Sequence, residues 1–344
     1  MTDRPSVFRD IRDTLATGGL PMSGEDPMAP VIEASARPEA TTARDILDLD
    51  ADSWDGAQIR TLRLLGGPDE VRGSDLSETF FGNGGNDIIR GLGGDDTLDG
   101  GFGFDKLYGD DGADLIRGGA GADSLSGGMG DDTIFGDAGN DYINAGPGED
   151  AIHGGIGFDT IYGGSGNDSV IGGDGYDSLV GERGNDTLLG NAGNDSLDGG
   201  YGDDRLEGGI GSDFLFGDWG DDHLIGGNGS DTLRGWGGDD LLEGNAGDDT
   251  LEGGGGNDTL RGGQGSDVFV FDDGLDTILD FQTGIDILAI DMGFDRDTDI
   301  ADLLSVARVV DGDLHVVDPA DDGTGLVFAG ITSVDRIAAD IEFI

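Results

Sequence analysis

The chain has 344 residues, of which 71 are glycine and none is cysteine, and its 73 acidic against 18 basic side chains leave a formal net charge of −55. That charge repels nucleic-acid phosphates. The lack of cysteine removes disulfide staples, and no apolar run approaches the ~18 residues that a membrane span needs.

Residues 1–70 form a flank in which glycine is sparse. Met1–Leu20 is charged and has no apolar core of the kind an amino-terminal secretory signal requires. Val7, Phe8, Ile11 and Leu15 lie at helical spacing and predict a short amphipathic helix over 7–15. The stretch 22–41, with several Pro and Ala, reads as a linker, and 42–49 as a second helix capped by Thr41 or Thr42. Asp48, Asp50 and Asp52 have the spacing of an EF-hand, but Ser53 and Ile59 stand where that loop needs Gly and Glu. Residues 59–65 alternate apolar and basic side chains and predict a strand.

From residue 71 to 281 the sequence is periodic. An aspartate returns every ninth residue: Asp87, Asp96, Asp105, Asp114, Asp123, Asp132 and Asp141, then Asp150, Asp159, Asp168, Asp177, Asp186, Asp195 and Asp204. Asp213, Asp222, Asp231, Asp240, Asp249, Asp258 and Asp267 complete the series. Two positions before each stands a glycine: Gly85, Gly94, Gly103, Gly112, Gly121, Gly130 and Gly139, then Gly148, Gly157, Gly166, Gly175, Gly184, Gly193 and Gly202. The glycine series closes with Gly211, Gly220, Gly229, Gly238, Gly247, Gly256 and Gly265. Two positions after each Asp is an apolar residue, from Ile89 and Leu98 to Leu260 and Phe269. Five positions before each Asp is another glycine, with Ala145 the exception. The unit is G-G-x-G-x-D-x-U-x, with U a large apolar residue, in about 21 copies. Gly73–Phe81, with Glu78 in the Asp place, reads as a degenerate opening copy, and Asp276 and Ile278 mark a degenerate closing one.

Each unit holds two instructions. The glycines permit positive φ and close backbone approach, so G-G-x-G-x-D is turn material. The x-U-x part is a very short strand with one side chain turned inward. Two units make one coil of 18 residues, and coils stacked as parallel strands about 4.8 Å apart bury the U residues between two sheets. The predicted fold is an all-β solenoid, a right-handed parallel β-roll of about 10 coils and on the order of 50 Å, with small mixed α/β flanks. Stacking sets Asp87 beside Asp105 and Asp123 on one edge, and Asp96 beside Asp114 and Asp132 on the other. Such carboxylate columns repel one another and call for a hard cation. Carboxylates and glycine-loop carbonyls, without thiols, are oxygen donors that suit Ca²⁺ better than the tighter octahedron of Mg²⁺. The aspartates and glycines of the two series are the candidate ligands. About 19 Ca²⁺ would offset roughly 38 negative charges, and without them self-repulsion predicts an expanded chain.

This repeat resembles that of the RTX (repeats-in-toxin) family, whose nonapeptide binds Ca²⁺ in a β-roll; the likeness covers roughly residues 73–281. The second position departs from glycine at Asn83, Leu92, Asp110, Asp137, Glu182, Asn191, Asp218, Trp236 and Asn245, where weaker binding or a different turn geometry is expected. The resemblance implies a bacterial protein exported unfolded by a type I ABC exporter under a carboxy-terminal signal. Residues 282–344 fit that expectation. The segments Asp267–Asp273, Asp276–Phe281 and Gly284–Leu288 are similar to the region after the roll in the serralysin-type branch. Asp340 followed by Ile341, Phe343 and Ile344 is similar to that branch's terminal signal, and reads equally as a last edge strand. Helices are predicted over 300–307 and 334–339, and strands over 314–317 and 325–328.

No familiar catalytic set is present in the sequence. His153, His223 and His315 are the only histidines and none has a partner four residues away, as a zinc protease would need. A G-x-S-x-G elbow and a Walker lysine are also missing. The reading is therefore a secreted, non-catalytic Ca²⁺-binding protein of a cell surface or matrix; the alternative is an enzyme or effector with an unfamiliar site in the flanks. The ninth position points outward, and Phe135, His153, Ile171, Leu189 and Ile225, with Tyr108, Tyr162, Val180 and Phe216 on the other sheet, predict exposed apolar stripes. Tyr142 and Phe214 flank them. Such stripes suit self-association, a cell-surface partner, or cover by the amino-terminal helix.

Overall fold

The computed structural model describes residues 31–33, 46–48, 61–64, 66–271, 274–290, 308–310, 313–317, 325–331, 333, 337 and 340–343. The predicted helices over 7–15 and 300–307 lie outside these residues, as does most of 334–339, where Ile337 stands in a turn. Among the described residues there is no helix, and of the helices expected in the flanks only the one over 42–49 is corrected. Val31–Glu33, within the predicted linker, and Ile46–Asp48, within the predicted second helix, are strands. They pair in parallel with Thr61–Arg63 and Glu70–Arg72. Ladder bonds offered by a ready-made sheet override the weak helical preference of so short a stretch.

The chain divides into two compact units, Met1–Ile156 and Gly157–Ile344. Each is a parallel β-solenoid. In the first, Thr61–Arg63, Thr79–Phe81, Thr97–Phe102, Leu115–Ala120 and Thr133–Ala138 stack in one sheet, with neighbours 18 residues apart in register, as in Leu98↔Ile116 and Ile116↔Ile134. Glu70–Arg72, Ile88–Gly93, Lys106–Asp111, Ser124–Met129 and Tyr142–Pro147 stack in the facing sheet. The second unit repeats this plan, with Ser169–Gly175 through Thr259–Gln264 in one sheet and Thr160–Ser165 through Val268–Phe271 in the other. The register is unambiguous because a slip of one residue would turn every U side chain into water.

The U positions make the core. Ile89, Leu98, Leu107, Ile116, Leu179, Leu188, Leu197 and Leu206 are fully buried. Strands are longer than the three residues predicted, because ladder pairing continues through the first three positions of the next repeat; Thr97–Phe102 pairs through Gly101↔Gly119 and Phe102↔Ala120. The tight turn is thereby reduced to the remaining Gly-x-Asp.

The second position of the repeat has a positive φ whatever residue occupies it. Asn83, Leu92, Asp110, Asp137, Glu182, Asn191, Asp218, Trp236 and Asn245 have φ between 62° and 83°, and they are the non-glycine residues with positive φ among the described residues. The geometric departure expected at these turns does not occur. Asn and Asp enter this region at small cost, whereas Leu92 and Trp236, both at 83°, bear the larger penalty of a bulky side chain. Coil-to-coil hydrogen bonding on both sides imposes the conformation.

At the carboxy-terminal end of the second unit, Leu275–Ile278 pairs in parallel with Gly325–Phe328, which pairs on its other side antiparallel with Asp313–Val317. Both strands predicted near 314–317 and 325–328 are thus present. Phe281 packs against Phe269 and Phe328, with ring centroids 5.9 and 5.4 Å apart. Ile341–Phe343 adds a parallel edge strand to Ile287–Ile290, as the edge-strand reading expects.

The predicted apolar stripes need correction. Phe135, Ile171, Leu189, Ile225, Tyr108, Tyr162, Val180 and Phe216 are only half-buried, because register neighbours in adjacent coils cover one another's flanks. Tyr142 and Phe214 are exposed as expected, but most of the largest exposed apolar side chains stand at or beside the strand ends that lead into the turns, among them Phe102, Phe104, Met129, Ile156, Tyr201, Trp219 and Trp236.

Candidate metal centre

Each aspartate of the series sits at the end of a turn and points inward beneath the adjoining coil. All are at most 3% exposed. One oxygen has a structural task that the sequence did not reveal. The Oδ1 of Asp105 accepts the backbone N–H of Asp87 at 2.7 Å, that of Asp123 the N–H of Asp105 at 2.7 Å, and that of Asp195 the N–H of Asp177 at 2.9 Å. The other edge does the same, with Asp96 N–H to Asp114 at 2.7 Å and Asp204 N–H to Asp222 at 2.8 Å. The carboxylates thus cap the backbone of the coil before them, in two ladders. The degenerate ends join in: Asp69 donates to Asp87, Glu78 to Asp96, and Asp258 to Asp276.

The other oxygen is different. In Asp87, Asp96, Asp105, Asp114, Asp123 and Asp132, and in Asp177, Asp186, Asp195, Asp204, Asp213, Asp222, Asp231, Asp240 and Asp249, Oδ2 is buried and takes no hydrogen bond. It lies against the glycine five residues earlier: a Cβ on Gly91, Gly109 or Gly127 would come within 2.1, 2.0 or 2.1 Å of the Oδ2 of Asp96, Asp114 or Asp132. At the one alanine in this place, Ala145, the ladder bond from Asp132 to Asp150 stands at 2.7 Å. A Cβ there is therefore accommodated.

The glycines two before each Asp are stacked on one another. A Cβ on Gly193 would lie 1.3 Å from the carbonyl oxygen of Gly175, and one on Gly103 would lie 1.4 Å from that of Gly85. Their N–H groups are engaged, Gly193 donating to Ile210 and Gly103 to Ala120. Their carbonyls face the next coil, which makes them the oxygen that such a glycine could offer a cation.

Burial decides the charge state of these aspartates. Removal from water raises them, the donated backbone N–H lowers them, and the neighbouring carboxylates in the column raise them again. Asp87 and Asp177 reach about 7 and Asp204 about 8, against an ordinary 3.8. Asp105, Asp195 and Asp231 reach about 6. A carboxyl raised in the folded chain favours folding while it is protonated. That contribution is whole below 3.8 and is lost as pH rises through about 6 to 8. In chelator, strand content by circular dichroism should therefore increase as pH falls from about 8 to about 5, and this pH dependence should flatten in millimolar Ca²⁺. A strand signal in chelator that does not change over this range would contradict it.

These residues fit Ca²⁺. In the fifteen aspartates named above, a buried oxygen without a hydrogen bond is costly without a counter-charge once its carboxyl ionises, and every donor within reach is a hard oxygen. Among the described residues no three acidic or histidine side chains converge on one point. A cation in these turns would accordingly be held by an Asp Oδ2 with backbone carbonyls of the glycine turn, and would neutralise the columns.

A further ladder escaped the sequence reading. Where the residue before an Asp is Asn, Asp or Ser, its side chain commonly works in the opposite direction. Asn185 N–H donates to Asn167 Oδ1 at 2.8 Å, Asp203 N–H to Asn185 at 3.1 Å, Asp221 N–H to Asp203 at 3.1 Å, and Asp239 N–H to Asp221 at 2.9 Å. The recurrence of short hydrogen-bonding residues at that place was the available signal.

No curated protein matches the chain. Among solved structures, it is similar to the extracellular lipase LipA from Serratia marcescens, at 18% identity over 81% of this chain and 40% of the lipase, with a TM-score of 0.17. The chain thus spans less than half of that enzyme's length. A profile for the RTX calcium-binding nonapeptide repeat (4 copies) matches residues 72–107, 108–143, 144–179, 180–215, 216–251 and 243–278. Matched continuously from 72 to 278, in the very residues that build the two carboxylate ladders, the chain belongs to the family of RTX calcium-binding nonapeptide repeat proteins.

Proposed function

We propose that this protein is exported from a bacterial cell unfolded, folds outside on binding many Ca²⁺ ions, and serves there as a non-catalytic structural or interaction module of a surface or matrix. The observation that carries this reading is the buried, unbonded Oδ2 repeated along both ladders. Such a structure is disfavoured at neutral pH until cations arrive. Extracellular Ca²⁺ modules bind with constants of about 10⁻⁴–10⁻³ M, so sites of this kind stay largely empty in a cytosol and fill outside. Family membership supports the ion, and the apolar residues Ile341 and Phe343 after Asp340 support a carboxy-terminal export signal read by a type I ABC exporter.

Export is tested by expressing the full chain, and a form lacking residues 282–344, in a host carrying a type I exporter. The full chain should accumulate in the medium and the shortened form inside the cell. Equal appearance of both in the medium would remove this part of the reading.

A further inference from the structure

One turn edge of the second unit carries an aromatic ridge. Arg183, Tyr201, Trp219 and Gly237 occupy the same place in consecutive coils, with registers Arg183↔Tyr201, Tyr201↔Trp219 and Trp219↔Gly237. Tyr201 is 59% exposed, Trp219 54% and Trp236 57%. The two indoles meet at 5.6 Å between centroids and at 81°, forming an open corner. Trp219 lies across Gly237, where an added Cβ would touch its ring at 3.7 Å. Trp236 holds its place at φ 83°, a conformation that is costly for a bulky residue and that no burial of its side chain offsets.

Two observations say what this ridge accepts. The guanidinium of Arg183 already lies over the Tyr201 ring, 5.9 Å from its centroid. In the same turns stand Asp203, Asp221 and Asp239, exposed and in consecutive coils. Each uses Oδ1 in the outer ladder, accepting from Asp221, Asp239 and Asn257 respectively. Their charges face water, away from the inward carboxylates. Aromatic faces beside a column of carboxylates attract cations and repel anions. The coil repeat of about 4.8 Å is close to the advance per sugar in a linear pyranose chain. The C–H faces of such sugars pack on aromatic rings.

We propose that the Tyr201–Trp219–Trp236 ridge binds a linear polysaccharide bearing protonated amino sugars, with pyranose faces on the rings and ammonium groups on Asp203, Asp221 and Asp239. Charge complementarity selects this occupant over acidic glycans, and the aromatic repeat selects it over a simple polyamine. The inference rests on the ion-folded roll proposed above, so strand content is read in the same samples.

The test uses the full chain in millimolar Ca²⁺ at mildly acidic pH. A glucosamine hexasaccharide is titrated while tryptophan fluorescence is followed, with its N-acetylated counterpart and spermine as comparisons. The glucosamine oligomer should change the emission and bind at least tenfold more tightly than either comparison. The pair Trp219→Ala and Trp236→Ala, followed by calorimetry, should lose binding at least tenfold. The set Asp203→Asn, Asp221→Asn and Asp239→Asn retains the Oδ1 acceptors and should abolish the preference for the free amine. Strand content should remain unchanged in all of them. Equal binding of the acetylated oligomer, equal binding of spermine, or absence of binding by a chain whose strand content is normal would each overturn the proposal. Loss of strand content in the unsubstituted chain in Ca²⁺ would instead count against the folding reading.

Discussion

Chelation of Ca²⁺ is expected to convert the purified protein from a strand-rich solenoid to an expanded coil, and readdition to restore it. At 10 mM Ca²⁺ and a site constant of about 10⁻³ M, each occupied site contributes about 1.4 kcal/mol to folding. Over one ladder of about ten such sites the sum reaches the upper end of the stability of an ordinary domain, about 5–15 kcal/mol, and over both ladders it exceeds it. The transition should therefore be steep in Ca²⁺, because each coil completes its neighbour's turn. Circular dichroism and small-angle scattering across a titration measure it, with Mg²⁺ as control. In chelator the radius of gyration should move toward the ~65 Å of an unfolded chain this long. Unchanged strand content in chelator, or equal folding by Mg²⁺ at the same concentration, would show that the buried Oδ2 atoms need no calcium.

The second large effect is predicted for one methyl group. Gly193→Ala places a Cβ 1.3 Å from the Gly175 carbonyl, at a residue whose φ is 147°. Neither atom can move without parting two coils, because Gly193 is also tied by its N–H to Ile210 at 2.8 Å. The cost should be roughly 3 kcal/mol or more, the upper range of backbone strain. It should appear as a higher Ca²⁺ midpoint and as new proteolytic cleavage near the substituted coil. Gly190→Ala, three residues away, should cost far less. There a Cβ meets the Asp195 carboxylate at 2.5 Å and the Gly208 carbonyl oxygen at 2.7 Å, against 1.3 Å at Gly193, and Ala145 shows that this place admits a methyl while the ladder bond is kept. Equal destabilisation by the two substitutions, measured by denaturation in Ca²⁺, would refute the distinction.

Much of this was legible before any coordinates. Leu98, Ile116 and Ile134 follow one another every 18 residues, so their stacking is dictated by arithmetic and by the need to bury one apolar side chain per strand. The pairing of Asp87 with Asp105 follows from the same count. The flanks were legible only in part: Thr61–Arg63, Asp313–Val317 and Gly325–Phe328 follow from apolar alternation. Ile46–Asp48 has no period, and only the sheet edge beside Glu70–Arg72 makes it a strand. Leu92 and Trp236 looked like damaged turns because an isolated peptide would avoid their φ, but coils above and below hold them there.

The repeat determined the coil, its register, the inward row of Leu and Ile, and the oxygen-rich turns, because spacing alone brings like residues together. Only the folded chain decided how each carboxylate divides its two oxygens, one to the backbone of the coil before and one left buried for a cation. It also decided that the large exposed aromatics would gather along turn edges such as Tyr201 and Trp219. Those outcomes depend on distances between coils, and a linear pattern carries no distances until the stack has closed.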